Sequence, residues 1–178
     1  MSKTIIVNLF GGPGSAKSTT SVGIFHELKI LGINSEYVSE YAKDITWQEN
    51  FNTLNNQIYV HGKQHNRIFH LKGKVDVIIT DSPAIMGLVY CDMSKISKHF
   101  EPFVVDEFNK DDAINMNFYI QRAKVYNPKG RSQTEEQAKV LDEQIKGLLK
   151  KHDINHELVI GDKTAVSNIL QKILKILG

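Results

Sequence analysis

Gly11-Gly12-Pro13-Gly14-Ser15-Ala16-Lys17-Ser18-Thr19 follows a run of strand character, Ile5-Ile6-Val7-Asn8-Leu9-Phe10. It precedes a stretch with apolar residues at helical spacing, Ile24, Phe25, Leu28 and Leu31, which Gly32 stops. A glycine-rich turn from strand to helix is the setting of the phosphate-binding loop, the Walker A pattern G-x-x-x-x-G-K-[ST]. The stretch matches that pattern at every defined position except Ala16. The chemistry follows from the backbone. Closely spaced glycines let successive N–H groups converge on one anion, and the helix behind adds its positive end. Gly12, Gly14, Ser15, Ala16, Lys17, Ser18 and Thr19 are therefore candidate nucleotide contacts. Lys17 would reach the β- and γ-phosphates, and the Ser18 hydroxyl would ligate Mg²⁺. If position 16 requires a positive φ, its alanine costs on the order of 1 kcal/mol.

Outward from the loop, strand and helix alternate about five times. Ser35 to Ser39 reads as a second strand ending near Glu40, and a long helix is expected between Leu54 and Leu71. Lys74 to Asp81 reads as a buried strand running into an acid, with Ser82-Pro83 offering a helix cap. The segment 95–112 gives no clear element. Ile114 to Ile120 alternates as a strand, and 122–133 is a polar loop with Pro128 and Gly130. Thr134-Glu135-Glu136-Gln137 has capping-box form before a helix with Ala138, Leu141, Ile145, Leu148 and Leu149 on one face. Glu157 to Ile160 is a fifth strand, and a last helix turns Val166, Ile169, Leu170, Ile173 and Leu174 inward. The alternation predicts a three-layer α/β fold, a parallel five-stranded sheet flanked by helices, in a single domain over 1–178.

Composition narrows the class. The chain has 178 residues, enough for one domain with a sizeable core, and a formal charge of +2 argues against a large basic nucleic-acid surface. The apolar run Ile85 to Cys91 is too short to span a bilayer, and the N-terminus has no signal-peptide pattern. The lone Cys91 excludes an internal disulfide and fits a reducing compartment, so a cytoplasmic protein is expected. Of 22 basic residues only Arg67, Arg122 and Arg131 are arginine, so each is a candidate for work that lysine cannot do.

Asp81 ends the strand Val77-Ile78-Ile79-Thr80, the place of a Mg²⁺-anchoring acid in phosphate-loop proteins; otherwise it caps the following helix, and both roles can coexist. His61 and His65 are four apart on the long helix with no third ligand nearby, and read as a half-buried helix face rather than a zinc site.

The loop resembles that of small nucleoside and nucleotide kinases. Val38-Ser39-Glu40-Tyr41-Ala42-Lys43 resembles the E-Y-A-R stretch of NadR-like ribosylnicotinamide kinases and related AAA_28-type proteins often encoded by phages. Tyr126-Asn127-Pro128-Lys129-Gly130-Arg131 resembles the lid of the same group, a segment about 122–134. Lys43 departs from the arginine often found there, and lysine cannot copy a bidentate fork, so the acceptor need not be ribosylnicotinamide.

The resemblance implies roles by position. Glu40 would orient or deprotonate the acceptor hydroxyl; otherwise it is a surface carboxylate. Arg122 and Arg131 would clamp the transferring phosphate; otherwise they cap a strand and stand solvated. Tyr41 and Trp47 would wall the acceptor or serve as packing. Arg67 would touch the acceptor or make a surface ion pair. Asp162 lies where such kinases pack on adenine.

The expected function is ATP- and Mg²⁺-dependent phosphoryl transfer to a nucleoside- or nucleotide-like hydroxyl. The alternatives are a phosphate-loop kinase acting on a modified base or end in DNA, an ATP-binding regulator, and an ATPase. The ATPase ranks last because Asp81-Ser82 lacks an adjacent second acid. The expected partner is a small molecule, with nucleic acid second and no membrane. The phenylalanine-rich stretch Phe100 to Phe108 is a candidate homodimer interface or substrate cover.

Overall fold

A computed structural model describes residues 3–123 and 134–178. The most apolar run of the N-terminal region forms the central strand. In β1 (Ile5–Phe10) every residue is buried, which is what a parallel strand covered on both faces requires. α1 (Lys17–Ile30) follows the loop. β2 (Ser35–Val38), β3 (Val77–Thr80), β4 (Ile114–Gln121) and β5 (Glu157–Ile160) complete a sheet of order β2-β3-β1-β4-β5, parallel throughout. The fold class expected from the alternation is the one observed.

The strand residues sort by parity. Ile5, Val7 and Leu9 face α1 and the C-terminal helix α7 (Ala165–Leu177), and pack with Ile24, Leu28, Ile169 and Ile173. Ile6, Asn8 and Phe10 face the other layer. That layer contains α4 (Gln57–Phe69), a 3₁₀ helix at Ala84–Tyr90, α5 (Phe100–Phe108) and α6 (Glu135–Lys151). Each fully buried isoleucine or leucine here contributes about 1.5–3 kcal/mol. All five strands run the same way, so their carboxyl ends and following loops share one rim of the sheet, where ligands bind in open α/β sheets.

Four local expectations change. The expected long helix is two, α3 (Phe51–Asn55) and α4, with a further short helix α2 (Tyr41–Trp47) before them. The break is chemical: the Asn50 and Asn56 side chains accept the Thr53 and Tyr59 N–H groups at 3.1 and 3.2 Å and start new helices. Strand β3 is shorter than the expected 74–81. Ser82-Pro83 does not open an α-helix, because Pro83 stands extended at ψ 135° and only a 3₁₀ helix follows. The segment 95–112 contains α5, buried through Val104. The capping box at Thr134 and Gln137 forms as expected. Among the described residues no helix is long and apolar enough to cross a membrane.

Candidate active site

The loop after β1 closes around Lys17. Its ammonium donates to the carbonyls of Gly11 at 2.5 Å and Gly12 at 3.0 Å, so the side chain curls back over the loop. Ala16, immediately before α1, has φ 75°, the left-handed conformation that glycine would supply without strain. Gly161, beyond β5, approaches the loop so closely that a Cβ there would lie 2.3 Å from the Ser15 carbonyl oxygen.

Ser18 and Asp81 are brought together from elements 63 residues apart. The Ser18 hydroxyl donates to Asp81 Oδ2 at 2.5 Å. Asp81 is only 5% exposed, and its Oδ1 is buried without a hydrogen-bond partner. An orphaned carboxylate oxygen beside a hydroxyl is a hard, oxygen-only donor set. It suits Mg²⁺, which is held by one or two protein oxygens together with substrate phosphates. Among the described residues no group of three His, Cys, Asp or Glu could hold a metal by itself.

Glu40, half-buried at the end of the loop after β2, joins the same rim. Its pKa is raised, first by burial, with Asp81 adding repulsion and Lys17 opposing the shift. The Lys17 pKa is lowered by burial, while Glu40, Asp81 and Asp142 pull it back up. These shifts couple the lysine electrostatically to carboxylates that follow β2 and β3 and to one on α6. Tyr37 lies near the same group: burial, then the Asp81 carboxylate, hold its phenol well above the ordinary value.

Arg122 sits at the end of β4 with its Nη2 2.8 Å from Asp142 Oδ2 on α6. The other carboxylate oxygen, Asp142 Oδ1, accepts the Gly12 N–H at 2.7 Å. One side chain thus joins the phosphate loop to the first residue of the expected lid. Position 12 must be glycine for this approach, since a Cβ there would stand 2.4 Å from Asp142 Oδ1. Asp142 is absent from the sequence-derived candidates, although a signal exists. It shares a helical stripe with Ala138, Ile145 and Leu149, all 0–1% exposed, and a charged residue on such a face needs partners. Arg131, Lys124, Lys129 and the rest of 124–133 lie outside the described residues.

The remaining candidates are placed less directly. Arg67 is turned onto the protein: it binds the Ser39 carbonyl and hydroxyl and the Asp44 carboxylate, and stacks over Tyr41. The ion-pair reading therefore describes it, and the guanidinium is committed within the chain. The Tyr41 hydroxyl meets that of Tyr59 at 3.1 Å, and Trp47 ends α2 at 72% exposure. The Asp162 carboxylate accepts the Thr164 N–H at 2.8 Å and hydroxyl at 2.7 Å, so its side chain shapes the loop before α7. His61 is buried beside His65 with the rings stacked 6.1 Å apart, a packed helix face.

Three solved structures of deoxyadenosine kinase from M. mycoides share this fold. They have bound dCMP and a flexible dCDP, bound dATP, or bound dCTP. The first two superpose at TM-score 0.57 with 19% identity, covering 96% and 95% of this chain and 99% of each of those. The third gives 0.55 and 20%, over 96% of this chain and 99% of the other. No curated protein matches the chain in sequence. The family model described as an AAA domain matches residues 6–166, from inside β1 to the start of α7. The matched span takes in the phosphate loop, Glu40, Asp81 and Asp142, and the chain belongs to this AAA-domain family, AAA_28.

Proposed function

We propose that the protein transfers the γ-phosphoryl group of ATP, with Mg²⁺, to the hydroxyl of a nucleoside- or nucleotide-like acceptor. The observation that carries this reading is the convergence of Lys17, the Ser18–Asp81 pair and the desolvated Glu40 on one rim of the sheet. The shared fold with a kinase whose structures hold deoxynucleotides supports the acceptor class.

The division of labour follows from chemistry. The loop amides, the N-terminus of α1 and Lys17 hold the donor phosphates. Binding draws the Lys17 ammonium from the Gly11 and Gly12 carbonyls onto phosphate oxygens. Ser18 and Asp81 would hold Mg²⁺, which when bound neutralises charge on the phosphates. Glu40 accepts the proton of the attacking hydroxyl; burial raises its pKa, which makes its carboxylate a stronger base than an exposed one. Arg122, and Arg131 from the lid segment about 122–134, supply planar guanidinium groups for charge spread over the transferring group. Tyr41 and Trp47 are on hand for the acceptor, and the loop at Asp162 for the adenine. The reading takes 1–178 as one working domain, of the kind found in the cytoplasm.

The test is a screen of nucleosides, nucleoside monophosphates, ribosylnicotinamide and duplex DNA for acceptor-dependent ATP consumption. A nucleoside or nucleotide is expected to stimulate consumption, and Lys17→Ala to abolish it. Strongly salt-dependent stimulation by DNA would favour the nucleic-acid kinase instead. Hydrolysis indifferent to every acceptor would favour the regulator. Arg131→Lys keeps charge but removes the fork, so turnover equal to the wild type there would refute the lid clamp.

A further inference from the structure

Two side chains one turn apart on α4 grip the chain on either side of Glu40. Gln64 is 5% exposed. Its Oε1 accepts the Tyr41 N–H at 2.8 Å, and its Nε2 donates to the Ser82 carbonyl at 3.0 Å. Arg67 donates from Nη1 to the Ser39 carbonyl and hydroxyl, both at 3.2 Å, and from Nη2 to Asp44 Oδ2 at 2.6 Å. Its guanidinium carbon stands 4.9 Å from the centre of the Tyr41 ring. Residues 39 and 41 are thus both held from α4, and residue 82, which follows Asp81, is held by the same glutamine.

The arrangement has a second consequence. Glu40 occupies the position before α2 where a side chain ordinarily accepts an N–H of the first turn, and it makes no such bond. Gln64 instead satisfies a first-turn N–H from outside the helix, so the Glu40 carboxylate is not spent on capping. A buried primary amide suits this work. It offers an acceptor and a donor in a plane, and here one is matched to the first turn of α2 and the other to the loop after β3.

We infer that Gln64 and Arg67 are positioning residues that fix the backbone of Glu40 and, through Ser82, hold it at a set separation from Asp81. The inference rests on the kinase reading, in which Glu40 meets the acceptor and Asp81 the metal. Neither residue touches substrate; both act by holding the base. A small displacement of a reacting group costs up to about a hundredfold in rate, so the effect belongs in kcat.

The experiment compares wild type with Gln64→Leu, which removes both bonds at similar volume, and Gln64→Glu, which keeps the Tyr41 acceptor and loses the Ser82 donor. Arg67→Lys is the third variant, keeping charge beside Asp44 but not the fork. Transfer from MgATP to the best nucleoside of the panel is measured beside acceptor-independent ATP hydrolysis, KM for ATP and the unfolding midpoint. Gln64→Leu is expected to lower kcat for transfer about ten- to a hundredfold, with KM for ATP and basal hydrolysis within about threefold. Gln64→Glu and Arg67→Lys fall between. Should Gln64→Leu not fold, the same split in the other two carries the proposal. Wild-type transfer in all folded variants overturns it, and so does loss of transfer, ATP binding and stability in parallel, which marks a scaffold alone. A wild-type chain that phosphorylates no nucleoside or nucleotide overturns the kinase reading and the inference with it, before any variant is made.

Discussion

Ala16 occupies a left-handed backbone conformation, φ 75°, at the one position of the phosphate-loop pattern that this chain does not match, where the pattern asks for glycine. Ala16→Gly should relieve about 1 kcal/mol of strain while returning about 0.4–1 kcal/mol as unfolded-chain freedom. The unfolding midpoint is therefore expected to stay within a few degrees of wild type. Ala16→Val puts a β-branched residue at positive φ and should cost about 1–3 kcal/mol, read by the same thermal melt. Glu40 bears on pH. Its pKa is raised by burial, so the folded state binds the Glu40 proton more tightly than the unfolded state does, and stability falls as pH rises from the ordinary value of 4.5 through the folded pKa. Glu40→Gln should accordingly melt higher than wild type, by a margin that widens over that window and then levels off, while transfer is lost. A melting series from pH 4 to 8 checks the sign. Asp142→Asn keeps an acceptor for the Gly12 N–H and removes the charge facing Arg122, whereas Asp142→Ala removes both. Loss of stability of about 1–3 kcal/mol is expected for alanine and less for asparagine, measured by denaturant unfolding.

At the scale of elements, what the sequence discloses depends on how local the cause is. β1, the start of α1, β5 and the capping box at Thr134 are written in contiguous residues, and each forms where its residues say. The break at Asn56 is also local, but an asparagine amid helical spacing is ambiguous until its side chain is seen to cap α4. The candidate site divides the same way. Lys17, Ser18 and Asp81 follow from a contiguous motif and a strand end. Gln64, Arg67 and Asp142 act across 18 or more residues through packing that no short window contains. Thr134→Ala tests the element that carries Asp142. Removing the cap should cost about 1 kcal/mol by denaturant unfolding, and Thr134→Ser should restore most of it.

For the whole molecule, alternation of strand and helix discloses a parallel sheet, but not the order β2-β3-β1-β4-β5 that sets Glu40, Asp81, the phosphate loop and Arg122 along one rim. That order brings together the segments that follow the successive strands β2, β3, β1 and β4, and the proposed division of roles rests on it. MgATP at a hundredfold excess over its Kd should stabilise the fold by about 2.7 kcal/mol, a shift expected to vanish in Lys17→Ala. The most direct measurement of the central claim is ATP consumption with and without a nucleoside or nucleotide acceptor, in wild type and Glu40→Gln at equal nucleotide occupancy. The account predicts acceptor-dependent phosphoryl transfer in wild type and its loss in Glu40→Gln, with ATP binding retained. ATP turnover that ignores every such acceptor and is unchanged by Glu40→Gln would contradict it.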